Sequence, residues 1–311
     1  MKTSILVALL VLIGIMWGST VPFTKMAVAT GHNPLGLIFW QLLIAALCLY
    51  PVARIRKSHL PWDGPSLRLY AVVALLGTIF PNAFSYWAAF HLPGGVMALT
   101  IATVPVFTLV IALAIGSEKL DMKRVLGLSL GLAAVALLVL PDSSLPDPSK
   151  AIFVFVALVA PFAYGVEANY LARASLPTVG PIATLLGASI LGTVISLPLA
   201  VVVDGFVNPV ASFGKAETAL IISSVLHVLA YSGYIWLIGQ AGAVFSAQVA
   251  YIVTPAGVAL SALLLGETPS LWLLVALVLM LIALSLVQPR QEEVVVKSVV
   301  PDLPEDDQFD R

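Results

Sequence analysis

The sequence has little charge and almost no cysteine. Charged residues make up 10% of the 311 residues, hydrophobic residues make up 60%, and the mean hydropathy is +1.05. Soluble globular domains have about 45–50% apolar and about 25% charged residues, so a water-exposed surface cannot be built from this composition. The single cysteine, Cys48, excludes an intramolecular disulfide.

The sequence also lacks the motifs of several functional classes. It has no P-loop, which leaves ATP hydrolysis unsupported. Its four histidines and one cysteine form no metal-ligand cluster, so we expect neither a metal nor another cofactor. It has no Ser/His/Asp arrangement and no zinc-protease motif, which argues against an enzyme. The apolar part of the sequence contains no cluster of Lys and Arg residues, which argues against a phosphorylated substrate. We also expect no nucleic-acid partner.

Ten apolar runs fill the sequence instead. A helix needs about 20 apolar residues to cross about 30 Å of hydrocarbon. We therefore predict an all-α membrane protein with ten transmembrane helices, surrounded by the lipid bilayer. In chain order, spans 1 to 10 are residues 4–29, 34–53, 66–90, 93–115, 123–140, 151–172, 180–203, 217–238, 242–264 and 270–288.

The positions of the basic residues predict the orientation of these spans. With both termini in the cytoplasm, 12 of the 15 Lys and Arg residues lie inside and three lie outside, namely Lys25, Lys150 and Lys215. The opposite orientation reverses this ratio and breaks the positive-inside rule. The residues after span 10 carry seven of the 16 acids, and we predict that 289–311 is a disordered, acidic cytoplasmic tail.

Two segments of the sequence repeat one pattern. Residues 105–118, in span 4 and its exit, begin with a proline and end with a glycine and a glutamate, as do residues 255–267, in span 9 and its exit. Residues 17–18 of span 1, Trp-Gly, line up with residues 164–165 of span 6, Tyr-Gly. Chance similarity between apolar segments is the alternative explanation. The shared order favours an internal repeat instead.

The repeat predicts two halves of opposite orientation. The first half comprises residues 4–140 with spans 1–5, and the second comprises residues 151–288 with spans 6–10. Since five is odd, the second half enters the membrane in the opposite sense. Two inverted five-helix repeats are a recurrent plan of secondary transporters, which bind their substrate between the halves near the midplane.

These features resemble the EamA-type families of the drug/metabolite transporter superfamily. The resemblance rests on Trp17-Gly18-Ser19-Thr20 with Lys25, on the two proline-to-glutamate segments, and on Asn82…Ala88-Ala89 leading into Leu92-Pro93-Gly94. It implies a ten-helix, two-repeat fold and alternating-access transport of metabolites, amino acids or drugs, often outward.

Two ionisable residues at membrane depth are candidates for proton coupling. Glu167 lies within span 6, and His227 is central in span 8. Ionisable groups inside a membrane are costly, and they commonly mark transport or proton pathways. The alternatives are a structural acid that pairs with Arg173 and a structural histidine. His227, Tyr231 and Tyr234 have the i, i+4, i+7 spacing of one helix face, which lines either a cavity or a helix–helix contact.

The predicted substrate contacts are polar or aromatic residues near midspan or just before the two prolines. They are Trp17, Ser19, Thr20, Asn82, Ser85, Tyr86, Thr100, Thr103, Asn169, His227, Tyr231, Gln248 and Tyr251.

The sequence thus predicts a secondary transporter of the inner (plasma) membrane that exports amino acids or similar small metabolites or drugs by alternating access. A lipid-modifying membrane enzyme and a passive channel or scaffold are the alternatives. Gly127 and Gly131 give span 5 a face of small residues, which we expect at the periphery or in a homodimer contact.

Overall fold

The computed structural model describes residues 3–119, 121–140, 144–173, 179–208, 213–247 and 249–287, and all its regular structure in these ranges is helical. The predicted tail, 289–311, lies outside the described residues. The α-helices are α1 (Thr3–Val28), α2 (Pro34–Ile55), α3 (Gly64–Ala74), α4 (Phe80–His91), α5 (Gly94–Ile101), α6 (Val104–Ala114), α7 (Met122–Val139), α8 (Ile152–Arg173), α9 (Pro181–Val202), α10 (Lys215–Ala247), α11 (Ala250–Leu265) and α12 (Leu271–Val287).

Ten apolar segments of these helices follow the predicted spans. Among the described residues, eight segments are long and apolar enough to cross a bilayer, and α11 and α12 are shorter apolar helices. The predicted boundary between span 8, which ends at 238, and span 9, which begins at 242, is wrong, because α10 continues to Ala247 and α11 begins at Ala250. At 33 residues α10 is about 50 Å long, so it exceeds the hydrocarbon thickness. The sequence between 238 and 247 contains no proline or charge to end the helix.

Span 3 is continuous but irregular. It consists of α3, a π-helical turn (Leu75–Ile79) and α4. The backbone N–H of Phe80 donates to Leu75 O, five residues back. The next residue, Pro81, has no N–H, so the following bond of this ladder is not made. Such turns commonly mark functional positions in helices.

Span 4 is interrupted at Ala102 and Thr103, whose backbone angles stay in the α region. We expected a proline within a single helix, but α5 ends at Ile101 and α6 begins at Val104, with Pro105 in its first turn. Proline is favoured in the first turn of a helix because its missing N–H has no acceptor there. Pro255 does lie inside α11, so the two prolines of the repeat occupy different local structures.

The helices pack in pairs that each join one predicted half to the other. Helix α1 packs against α10, α4 against α8, α2 against α9, α5 against α11, and α7 against α12. Numbered as spans, these pairs are 1–8, 3–6, 2–7, 4–9 and 5–10. If each span is replaced by the corresponding span of the other half (1 by 6, 2 by 7 and so on), pair 1–8 becomes pair 6–3. The pairs 2–7, 4–9 and 5–10 stay the same.

Matching glycines occupy matching positions in the two halves. A Cβ atom on Gly18 would lie 2.7 Å from Val253 O, so α1 approaches α11 closely at this point. A Cβ atom on Gly165 would lie 3.0 Å from Thr108 N, so α8 approaches α6 in the same way. These are the glycines of the aligned Trp-Gly and Tyr-Gly pairs.

The glycine face of α7 packs inside the chain. A Cβ atom on Gly127 would lie 2.7 Å from the side chain of Val287 and 3.1 Å from Ala283 O, both of α12. Gly131 faces Val106 and the same alanine. This face therefore contacts α12 of the same chain. A homodimer stays a prediction and would need a different surface.

Two oppositely charged side chains hold the corner between α4 and α5. Lys25 Nζ, from α1, donates to Ala89 O at 2.8 Å and to Leu92 O at 2.5 Å. The carboxylate of Glu267, from the loop after α11, accepts from the backbone N–H groups of the first two α5 residues at 2.9 and 3.3 Å. The corner is thus fixed by both halves of the chain.

Candidate functional site

An aromatic cluster joins the centre of α1 to α10. The Trp17 ring centroid lies 5.8 Å from those of His227 and Tyr231 and 5.7 Å from that of Tyr234, in edge-to-face geometries. His227 and Tyr231 are stacked at 6.3 Å. The i, i+4, i+7 spacing places the three α10 rings on one face of the helix, and a single α1 side chain contacts all of them. Edge-to-face geometry is favoured between aromatic rings.

A second cluster connects α2, α4 and α8 through hydrogen bonds. Asn82 Nδ2 donates to Gln41 Oε1 at 2.9 Å, and the hydroxyl of Tyr86 donates to the same oxygen. The hydroxyl of Tyr164 donates to Asn82 Oδ1 at 3.2 Å. The network therefore begins in one predicted half and ends in the other. Its members orient one another, because each amide oxygen is already fixed by a donor.

Glu167 lies beside both clusters. Its carboxylate packs against Gly77 of the π-helical turn, and a Cβ atom there would lie 2.4 Å from Oε1. The carboxylate also interacts electrostatically with the phenols of Tyr164 and Tyr231. The alternative of an ion pair with Arg173 is not realised, since that guanidinium donates to Ile115 O at 3.2 Å. Among the described residues, no hydrogen bond or ion pair holds the Glu167 carboxylate.

Several polar atoms at this depth have no protein partner. Within the described ranges, the fully buried side-chain atoms without a hydrogen bond are Tyr70 Oη and Ser261 Oγ. The Glu167 carboxylate, the His227 ring nitrogens and Trp17 Nε1 also lack a described partner, and all three residues are half-buried. Since these last three groups are not among the fully buried atoms, they reach accessible space. Intramembrane ionisable groups generally face the bundle interior or a water-filled cavity rather than lipid.

Other predicted contact residues bond to their own helices. Ser19 Oγ donates to Ile15 O at 2.5 Å, and Thr20 Oγ1 donates to Trp17 O at 2.7 Å. The hydroxyls of Thr100 and Thr103 donate to carbonyls three residues earlier, at 2.8 and 2.6 Å.

Burial separates these hydroxyl residues into two groups. Thr100 and Thr103 are 0% and 2% exposed, so a solute cannot reach their side chains in this conformation. Ser19 and Thr20 are half-buried, one turn from the aromatic cluster on α1.

The remaining predicted residues divide between helix contacts and undescribed positions. Asn169 Nδ2 donates to Thr108 O at 3.1 Å and to Gly165 O at 2.9 Å, and so ties α8 to α6. Ser85 is buried beside the amide network on α4, and Tyr251 is half-buried near the start of α11. Gln248 lies outside the described residues.

Sequence reasoning missed Gln41, Tyr164 and Gly77 as site residues. Gln41 is the one amide of an otherwise apolar span 2, which was an available signal. Tyr164 lies three residues before Glu167 and thus on the same helix face. Gly77 carries no side-chain signal, and only its contact with the carboxylate reveals it.

Two cavities of the described part of the chain lie away from these clusters. One of about 480 Å³ lies between α5, α11 and the loops at residues 144–146 and 266–270. Its one charged side chain, Glu267, already accepts two backbone hydrogen bonds. A second, of about 460 Å³, is mostly apolar and lies against Phe23 and Lys215 at the start of α10. Neither brings unpartnered polar groups together, so the candidate site is the region around Trp17 and Glu167.

The chain is similar to proteins that are named as membrane transporters. Residues 4–140 match the EamA-like transporter family. The chain is 25% identical over 274 residues to a probable terminal-alkyne amino-acid exporter of Streptantibioticus cattleyicolor, covering 86% of this chain and 88% of that protein. It is 25% identical to the inner membrane transporter YedA of Escherichia coli K12, covering 82% and 81%. It is 27% identical to the transporter YvbV of Bacillus subtilis 168, covering 94% and 93%.

The fold is also similar to that of a solved protein. A crystal structure matches with a TM-score of 0.58 and 19% sequence identity, covering 89% of this chain and 95% of that chain. At this identity the match supports the fold alone. Taken with the apolar helices, the sequence similarities support a multi-pass inner-membrane transporter of small molecules that resembles the EamA-like transporter family.

Proposed function

We propose that the chain is a secondary transporter that exports amino acids or similar small metabolites by alternating access. The observation that carries this proposal is the unpartnered carboxylate of Glu167 beside the rings around Trp17. A desolvated charge without a protein partner is costly, so such a group is maintained where it binds a solute or a proton. The aromatic rings add apolar surface for an organic side chain.

The proposed architecture has ten spans in two inverted repeats, residues 4–140 and 151–288. The reciprocal helix pairs support this arrangement, as do the matching close approaches of Gly18 and Gly165. The charge distribution supports cytoplasmic termini, with the acidic tail, 289–311, inside. In this arrangement the α1–α10 and α4–α8 contacts are equivalent, and both clusters lie at the boundary between the repeats. Rocking of one repeat against the other then changes access to the site.

Proton coupling is assigned to Glu167, with His227 as the second candidate. Glu167 belongs to α8 and contacts the π-helical turn of the opposite repeat, so its charge acts directly on the boundary that must move. Protonation would neutralise a charge that has no described counter-ion, and this favours closer packing around it. An exporter in a cell that maintains a proton gradient can use this exchange to drive efflux.

The relative from Streptantibioticus cattleyicolor is described as a probable terminal-alkyne amino-acid exporter, which supports the proposed substrate class and direction. A lipid-modifying enzyme would need acidic or histidine residues grouped at a membrane interface. Glu167 and His227 lie on different helices, beside or within the aromatic cluster around Trp17, and form no such group. No observation therefore favours the enzyme.

Transport by the purified full-length chain tests the proposal. The chain is reconstituted into vesicles, and uptake of a panel of labelled amino acids and amphipathic drugs is measured with and without a pH gradient. We expect saturable uptake of at least one amino acid that increases when protons flow in the opposite direction. If no solute of the panel moves under either condition, the proposed function is wrong.

A further inference from the structure

We propose that Gln41 is a specificity-determining residue of this site, whose side-chain N–H groups bind the carboxylate of a transported amino acid; this inference rests on the proposed function. Gln41 lies on α2, in the middle of an apolar helix. Neither the repeat pattern nor the family motifs single it out. The structure places it at one end of the hydrogen-bonded network whose other end, Tyr164, lies one helical turn from Glu167.

The network determines which face of the Gln41 amide is free. Its oxygen, Oε1, accepts from both Asn82 Nδ2 and the Tyr86 hydroxyl. Two donors on one oxygen orient the amide, so that the nitrogen, Nε2, points away from both of them. Among the described residues, no hydrogen bond uses Nε2, and this atom is not fully buried. The chain thus presents two oriented N–H donors at membrane depth.

These donors complement the carboxylate at the other side of the network. The Tyr164 hydroxyl connects Asn82 to α8, and Glu167 follows one turn later on the same face. A site with an unpartnered carboxylate at one side and unpartnered N–H donors at the other fits a molecule that has both an ammonium and a carboxylate group. Neutral amide donors can bind a carboxylate by charge-assisted hydrogen bonds and add no positive charge to the membrane interior.

A purely structural role makes a different prediction for the same residue. If Gln41 only holds Asn82 and Tyr86 in place, the oxygen is the important atom and the nitrogen is dispensable. Gln41→Glu keeps an oxygen acceptor for both partners and replaces the N–H donors by a second acceptor. The substitution therefore separates the two roles with little change in volume.

The test compares two substrates that differ by one group. Phenylalanine has a carboxylate, and phenethylamine has the same ring and ammonium group without it. Concentration-dependent uptake of both is measured with the full-length chain in vesicles, for the natural sequence and for Gln41→Glu. We expect the KM for phenylalanine to rise about tenfold or more in the variant, as for the loss of a hydrogen bond to a charged group. The KM for phenethylamine should not rise, because this substrate has no carboxylate that could lose such a bond and an added acidic group attracts its ammonium group.

Equal changes for the two substrates, or no change for either, would overturn the assignment. If Gln41→Glu does not fold, Gln41→Met gives the same comparison. A disturbed network would affect the two substrates alike, so the ratio of their KM values still reports the contact with the carboxylate. Transport by the natural sequence tests the proposed function separately. If the natural chain carries phenylalanine but the ratio does not shift, only the role of Gln41 is wrong. If it carries no amino acid, the proposed function fails and the assignment fails with it.

Discussion

The carboxylate of Glu167 occupies the space that a side chain at Gly77 would fill. A Cβ atom on this glycine would lie 2.4 Å from Oε1 and 2.8 Å from both Cδ and Oε2. The contact joins α8 to the π-helical turn of span 3, just before Pro81. The acid is therefore held where the helix ladder of the opposite repeat is already interrupted.

The substitution Gly77→Ala should displace this carboxylate and reduce coupling. Atoms closer than 3.0 Å must move apart, and overpacking of this kind costs about 1–3 kcal/mol. We expect lower thermal stability in detergent and a weaker dependence of uptake on the pH gradient. Gly64→Ala is the matched control, since a Cβ atom there has nothing within 4 Å. Equal behaviour of the two variants would show that the contact has no role.

Glu167→Gln should uncouple transport without abolishing the fold. Glutamine has nearly the volume of glutamate but cannot exchange a proton, so the pH gradient should lose its effect on uptake. The measurement is the ratio of uptake with and without the gradient. Glu118→Gln is the control, because Glu118 lies away from the site and forms an ion pair with Arg124 at 2.7 Å. Gradient dependence that survives in Glu167→Gln would transfer the coupling role to another group, and the same assay on His227→Gln would then test His227.

Trp17→Ala should be more damaging than Trp17→Phe. The indole ring contacts three rings of α10, and truncation of a large aromatic side chain costs about 3–5 kcal/mol when the space is not refilled. Phenylalanine retains a ring for most of these contacts. We expect Trp17→Ala to lose most uptake and Trp17→Phe to retain a measurable part. Comparable uptake in both variants would mean that the ring contacts are not needed for transport.

Lys25→Met and Glu267→Gln should each weaken the corner between α4 and α5. The first removes two hydrogen bonds to carbonyls, and the second weakens two bonds from backbone N–H groups. Hydrogen bonds to charged groups contribute about 1.5–3 kcal/mol, so both variants should unfold at lower temperature. The exposed Lys123 provides the control, Lys123→Met. Unfolding temperatures within the control's range would show that these bonds do not stabilise the corner.

Much of the fold could be predicted because each apolar run must satisfy its backbone within one helix. The helical spacing of His227, Tyr231 and Tyr234 placed these residues on one face, as the structure shows. The break before Pro105 could not be predicted, because proline is accommodated both inside a kinked helix and in the first turn of a new one.

The candidate site was harder to predict than the helices. Thr100 and Thr103 have suitable side chains and lie before the proline, but both are buried against their own helix. Gln41 was missed because a single amide in an apolar helix has no periodicity, and its partners come from other helices. The packing of segments that are distant in the sequence decides which polar atoms lack a partner. A local sequence pattern therefore cannot predict these atoms.

Counterflow tests the central claim most directly, that one site is exposed alternately to the two sides of the membrane. Vesicles containing the full-length chain are loaded with unlabelled phenylalanine and diluted into a trace of the labelled amino acid, without a pH gradient. A carrier with one alternating site predicts a transient accumulation of label above equilibrium, and Trp17→Ala should abolish it. Entry of label that rises only to equilibrium, unaffected by internal phenylalanine, would contradict alternating access and indicate a passive channel.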